Sequence, residues 1–184
     1  MSLFNVDDLR LIAKNKKPLY ESSQQTIQKS FANFNENKNY DVFLSHSYSD
    51  AEVILGLCYF IESLGYTVYL DWKEDPQMNR GQVTKLTANT LRKRMGQSAS
   101  LLFATSEHST ESVWMPWELG YFDALKGKVA ILPLTIRSNS IDEYKGQEYL
   151  GLYEYAVRTG TSIFIHSDEK NFVGFERWIK GVNP

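Results

Sequence analysis

The chain is poor in cysteine. It has one, Cys58, among 184 residues, so no intramolecular disulfide can form and no cysteine-rich zinc site is possible. A reducing, cytoplasmic setting is the expectation that follows. Basic charge is not in surplus either. Lys and Arg total 20 against 22 Asp and Glu, a net charge of -2, which argues against a dedicated nucleic-acid binder. No apolar run approaches the roughly 20 residues of a membrane span. Residues 1–10 lack the basic and apolar regions of a secretory signal. His46, His108 and His166 have no metal-ligand spacing, so no metal site is expected. The phosphate-binding patterns G-x-x-x-x-G-K-S/T and G-x-G-x-x-G are missing, as is the G-x-S-x-G nucleophile elbow. There is no internal repeat and no low-complexity tract.

What is present is an ordinary folded composition, 42% hydrophobic and 23% charged, with an aromatic share of 14%. The chain divides near 35–39, where an Asn-rich run reads as a connector. Residues 1–38 form an N-terminal helical extension, with helical stretches at 6–14 and 18–33 separated by Pro18; Asn5 is a plausible N-cap ahead of acidic Asp7 and Asp8. Residues 39–184 alternate strand and helix. Strands are expected at 40–45, 66–72, 100–105, 129–134 and 162–166. Helices are expected at 51–64, 83–95, 116–125 and 171–180, with Gly65 closing the first and Pro116 opening the third. The stretch 141–158 reads as irregular or partly helical. Alternating elements predict an α/β fold: a five-stranded parallel sheet with helices on both faces.

In such sheets ligands gather beyond the carboxyl ends of the strands, which selects three loops. The first reads Ser45-His46-Ser47-Tyr48-Ser49-Asp50. Helix capping accounts for Ser49 or Asp50 but leaves Ser45, His46 and Ser47 to face a ligand. The second, 71–82, opens with Asp71-Trp72 and carries Pro76, Met78, Arg80 and Gly81; a loop this long is either a solvated connector or a contact surface. The third reads Trp114-Met115-Pro116-Trp117-Glu118. A glutamate in the first turn of a helix commonly serves the dipole or a capping box, but Glu118 also stands beside two tryptophans, opposite the hydroxyl-rich first loop. Arg92-Lys93-Arg94 reads as a charge cluster closing a helix.

Taken in order, Tyr40-Asp41-Val42-Phe43-Leu44-Ser45-His46-Ser47, Gly65-Tyr66-Thr67-Val68-Tyr69-Leu70-Asp71 and Trp114-x-x-x-Glu118-Leu119-Gly120 resemble the box motifs of a TIR (Toll/interleukin-1 receptor) domain. The resemblance is closest to bacterial TIR proteins, including those of Thoeris anti-phage defence. Residues 126–133 and 146–153 are similar to the same group, so the likeness runs from about 39 to 180.

The resemblance implies a flavodoxin-like fold and, for many bacterial members, cleavage of NAD at the nicotinamide–ribose bond. Glu118 then matches the catalytic acid and Trp114 the residue at the nicotinamide end. Phe43, Ser45, His46 and Ser47 border the same substrate pocket, and Asp71 and Trp72 begin the loop through which neighbouring domains associate. NAD is expected as a substrate, with no separate cofactor, and the product as ADP-ribose or a cyclic ADP-ribose-type signal read by a downstream effector. Two other readings fit the class: a non-enzymatic TIR scaffold acting by domain–domain contact, and a nucleoside deoxyribosyltransferase-like enzyme.

Overall fold

The computed structural model describes residues 1–16, 37–47, 51–75, 78, 81, 83–105, 112–136, 144 and 148–184. In chain order these give β1 (Phe4–Asn5), α1 (Val6–Lys16), β2 (Tyr40–Ser45), α2 (Ala51–Ser63), β3 (Val68–Tyr69), α3 (Asp71–Glu74), α4 (Lys85–Gly96), β4 (Ser98–Thr105), α5 (Trp114–Lys126), β5 (Val129–Thr135), a 3-10 turn (Glu148–Leu152), β6 (Glu154–Thr159), β7 (Ser162–His166), β8 (Phe172–Gly174) and α6 (Phe175–Ile179).

The sheet order is β3-β2-β4-β5-β6-β7-β8. From β3 to β6 the strands run parallel, and β7 and β8 extend the sheet antiparallel. The parallel part has the flavodoxin-like order, in which the chain moves outward from its first strand and then crosses to the other side. β2 is that reversal point, so the crevice of the fold lies between the carboxyl ends of β2 and β4.

Side chains from the two faces of the sheet enter separate cores. One holds Val42, Leu44 and Leu102 against α1, α2 and α6. The other holds Phe43, Leu101, Phe103 and Ile131 against α4 and α5. This is the period-2 alternation of strands written into packing.

The N-terminal segment is built into the first core. β6 pairs with β5 only at Ala130 and Ile131, and further along β5 the place beside it is taken by β1, through Phe4 opposite Leu134 and Asn5 opposite Thr135. Asn5 caps α1, its side-chain oxygen accepting from the amides of Asp7 and Asp8 at 2.9 and 3.1 Å. Phe4 and Leu9 are fully buried. α1 lies so close to α2 that a Cβ on Gly56 would stand 1.9 Å from the Leu9 carbonyl oxygen.

Several expectations are corrected. Among the described residues eight strands form where five were expected. The stretch expected to be irregular contains β6, and β7 is antiparallel to it. The strand expected at 66–72 shrinks to Val68–Tyr69, because the chain turns into α3 at Asp71. The last helix starts late, since Phe172–Gly174 first adds an edge strand. α5 begins at Trp114, two residues ahead of Pro116. The stretch 18–33 lies outside the described residues. Among the described residues no helix is long and apolar enough to cross a membrane.

Candidate active site

Strand β2 ends at the reversal point with Ser45, whose side chain lies on the α5 face. Its hydroxyl donates to Glu118 Oε2 at 2.7 Å across a sequence separation of 73 residues. Both residues are fully buried, at 0% exposure. Because α5 starts at Trp114, Glu118 stands in the second turn rather than the first. The Ser112 hydroxyl takes an amide at the helix start instead, accepting from Met115 N at 3.3 Å. The capping explanation for Glu118 therefore falls away. Burying a carboxyl group is costly unless it is hydrogen-bonded, and here a serine at the end of the neighbouring strand supplies a bond.

Trp114 is one helical turn before Glu118, and residues four apart share a helix face. It is 6% exposed. Trp117 meets it edge-on at 5.5 Å between ring centres, and Tyr121 stacks on Trp117 at 5.6 Å. Arg92 of α4 lies over Trp117 at 5.3 Å. Phe43, two residues before Ser45 on the same face, stacks on Tyr69 at 5.0 Å and 25°. This face thus brings Phe43, Ser45, Trp114 and Glu118 together: one buried carboxyl group among aromatic rings, an arrangement able to stabilise a developing cation.

Of the other expected residues, Trp72 packs into the core on the opposite face, and His46 and Asp71 pair with each other beyond the end of β2. His46, just past the end of β2, donates from Nδ1–H to the Leu44 carbonyl at 2.8 Å, and its Nε2 lies 3.4 Å from Asp71 Oδ1. Asp71 Oδ1 also accepts the Trp72 amide at 2.8 Å. His46, Ser47 and Asp71 are buried. Trp72 packs against the α1–α2 core, and among the described residues its buried indole Nε1 has no hydrogen-bond partner. His46 and Asp71 tie the end of β2 to the start of α3, behind the Ser45–Glu118 pair.

The base of the second loop is held by a group that sequence reasoning missed. Arg94 donates from Nε and Nη2 to the two carboxylate oxygens of Asp75, each at 2.8 Å. The two residues are 2% and 1% exposed. Tyr69, its hydroxyl held neutral by burial and by the adjacent Asp75 charge, donates to Asp75 at 2.9 Å. Next to this group, Tyr40 donates to Glu74 at 2.7 Å. Arg94 is therefore an internal clamp and not a surface charge, while Arg92 lies over an indole. The tryptophan pair Trp114 and Trp117 was readable from its three-residue spacing. Nothing in the local sequence signals the Asp75–Arg94 pairing, which spans 19 residues.

A family model described as TIR domain matches residues 42–172. Among curated proteins, the chain is 50% identical over 166 residues to "Probable 3' cyclic ADP-D-ribose synthase ThsB'" of Bacillus cereus (strain MSX-D12), covering 87% of this chain and 86% of that protein. It is 34% identical over 116 residues to a Cytobacillus dafuensis protein provisionally named cyclic ADP-D-ribose synthase TIR2, covering 59% of this chain and 31% of that protein.

Proposed function

The chain belongs to the TIR domain family, and from that premise we propose that it consumes NAD, cleaving the nicotinamide–ribose bond and closing the ADP-ribose portion into a cyclic signal. The observation that carries this reading is the fully buried Glu118, bonded by Ser45 at the reversal point of the sheet and one turn from Trp114. The name of the relative that is 50% identical supports cyclisation.

The residues suit the chemistry. Nicotinamide in NAD carries a positive charge and departs neutral, taking the bonding electrons, so no general acid is required. Positive charge then develops on the ribose carbon, and a carboxylate nearby stabilises it. Glu118 has that role. Ser45 fixes its orientation, Trp114 offers a ring face to the pyridinium, and Phe43 with Tyr69 forms the pocket floor. A ribose hydroxyl of the same molecule attacks the carbon as nicotinamide leaves: a C–O bond replaces the C–N bond, and the hydroxyl proton passes to water. Attack by water instead gives linear ADP-ribose. His46, Asp71 and Trp72 act from behind, holding the end of β2 and the start of α3 in register, and Ser47, buried just past Ser45, belongs to the substrate side. A downstream effector that binds the cyclic nucleotide completes the pathway, in the reducing cytoplasm that a lone buried cysteine suits.

A second copy of the chain belongs to this reading. Val83, Leu86, Val113 and Ile136 are 74%, 78%, 70% and 70% exposed, and all four lie in segments that follow the carboxyl ends of β3, β4 and β5. Apolar exposure around an open crevice marks a contact surface, and association beside the 71–82 loop would enclose the substrate. Pro76 and Arg80 of that loop lie outside the described residues.

The test is purified protein with NAD, the products separated by chromatography and identified by mass. Nicotinamide with a cyclic co-product is expected, at a rate per molecule that rises with protein concentration and is lowered by Leu86→Asp. Absence of nicotinamide at any concentration leaves the scaffold reading. Constant specific activity from a monomer removes the second copy from the site.

A further inference from the structure

Helix α3 is a single turn, Asp71–Glu74, too short to hold its shape unaided. Each of its side chains, and that of Asp75 after it, is fastened to another element. Asp71 lies 3.4 Å from His46, and Trp72 enters the core beside α1 and α2. Lys73 is ion-paired with Glu62 of α2. Glu74 accepts from the Tyr40 hydroxyl at 2.7 Å and from Lys38 at 3.0 Å. Asp75 accepts from Arg94 with both oxygens and from the Tyr69 hydroxyl at 2.9 Å. Three of these five fastenings lead back to strand β2. Glu74 holds Tyr40 at its start, Asp75 reaches Phe43 through Tyr69, and Asp71 meets His46 just past its end.

The end of β2 has need of such support. On one side β4 pairs with it as far as Ser45, which stands opposite Phe103. On the other side β3 pairs only at Val42 and Phe43, and the chain then turns into α3. Among the described residues Ser45 therefore has a neighbouring strand on one side only, and side chains from α3 stand in for the missing ladder on the other. The link through Tyr69 is the one that reaches the Glu118 face. Tyr69 is in register with Phe43 and stacks on it at 5.0 Å and 25°. Tyr40 meets the same ring edge-on at 5.4 Å, and the Arg94 guanidinium lies 5.8 Å from its centre. Phe43 and Ser45, two residues apart, share one face of the strand. A buried network with every member bonded is rigid, and a reacting group must be held to within about 0.5 Å.

We infer that Asp75 is a positioning residue for the reaction at Glu118: it fixes the Tyr69 ring, Tyr69 fixes Phe43, and the strand end so held presents Ser45 to the Glu118 carboxylate. Arg94 contributes by holding Asp75 with two parallel bonds, the geometry that best orients a carboxylate. Asp75 and Arg94 are 1% and 2% exposed, so both act through other residues and not on the substrate. The inference rests on the NAD-consuming reading and adds to it a second layer of residues behind the pocket.

Asp75→Asn breaks the pair with Arg94 and costs stability, so the experiment cuts the link with Tyr69→Phe. That variant keeps the ring on Phe43 and leaves Arg94 on Asp75; it removes only the hydroxyl that joins the two. Wild type, Tyr69→Phe, Ser45→Ala and the double variant are compared for kcat and KM with NAD, corrected for the folded fraction. Tyr69→Phe should lower kcat by roughly 3- to 30-fold, with KM changed by less than about twofold, because the effect falls on the reacting carboxylate and not on substrate binding. In the Ser45→Ala background it should lower kcat little further, since its effect passes through Ser45. An unchanged kcat in folded Tyr69→Phe overturns the inference. So does a rise in KM alone, which marks a substrate contact, and so do losses that multiply in the double variant. If the wild type releases no nicotinamide, the enzymatic reading fails separately. Thermal melts of the same four proteins then decide the positioning role alone: a double-variant shift smaller than the sum of the single shifts supports it, and a shift equal to the sum overturns it.

Discussion

Consider Ser45 and Glu118 changed singly and together. Their bond is 2.7 Å long and fully buried. A hydrogen bond to a charged group contributes about 1.5–3 kcal/mol. Ser45→Ala leaves the carboxyl group without that donor, so stability should fall by about 2 kcal/mol. For a chain of this size each kcal/mol moves the midpoint by about 2–4 °C, giving a Tm lower by about 4–8 °C. Glu118→Gln nearly preserves the volume and removes the charge, while the neutral amide still bonds Ser45. Its stability should stay within about 1 kcal/mol of wild type, because a weaker bond is offset by a smaller burial cost. In the double variant the amide tolerates the missing hydroxyl better than the carboxylate does, so Glu118→Gln should restore part of what Ser45→Ala removes. Activity should follow the opposite order. Removing the charge that stabilises the ribosyl cation should lower nicotinamide release by at least about 100-fold, the scale seen when one preorganised electrostatic partner is lost. Ser45→Ala, which only loosens the carboxylate, should cost less. The assays are thermal melts of the four proteins and nicotinamide release from NAD. A folded Glu118→Gln with undiminished release would refute the catalytic role. Additive melting shifts would refute the energetic coupling of the pair.

Trp114→Ala should impair NAD handling more than Trp114→Phe, because phenylalanine keeps a ring face for the pyridinium; equal kcat/KM for the two would remove stacking from the account. Asp75→Asn or Arg94→Met breaks a buried, doubly hydrogen-bonded pair and should destabilise the fold by about 3–5 kcal/mol, read as a denaturation midpoint; a change below about 1 kcal/mol would place the pair in solvent. Gly56→Ala forces α1 away from α2, since the new Cβ meets backbone at Leu9 and not a flexible side chain; a cost of about 1–3 kcal/mol and faster proteolysis of the first 16 residues are expected, and an unchanged digestion pattern would contradict that contact.

The alternation of strand and helix was legible in the sequence because each element carries its own periodicity. The apolar run at 40–45, the amphipathic face ending at Gly65 and the Asn5 cap are local signals, and the structure contains all three. Element ends were less legible. Pro116 suggested a helix start, but Trp114 and Met115 gain burial in the α5 core by joining the helix, and packing outweighs the positional preference of proline. β6 was missed because Glu154–Thr159 alternates weakly and becomes a strand only through its neighbours β5 and β7. The candidate residues were legible as types near strand ends. Their sorting onto two faces follows from the period of a strand, but only the assembled sheet shows what each face meets.

Composition and order alone determined the α/β class, the exclusion of an intramolecular disulfide and the three loops at the strand ends, because these depend on residue type and short-range spacing. Tertiary structure decided the rest. It set Ser45 against Glu118 across 73 residues, joined Asp75 to Arg94, and fitted β1 beside β5 beyond its contact with β6. Each of these is a contact between segments distant in the chain. Such contacts are selected by which faces can be buried together, and no local pattern encodes that choice.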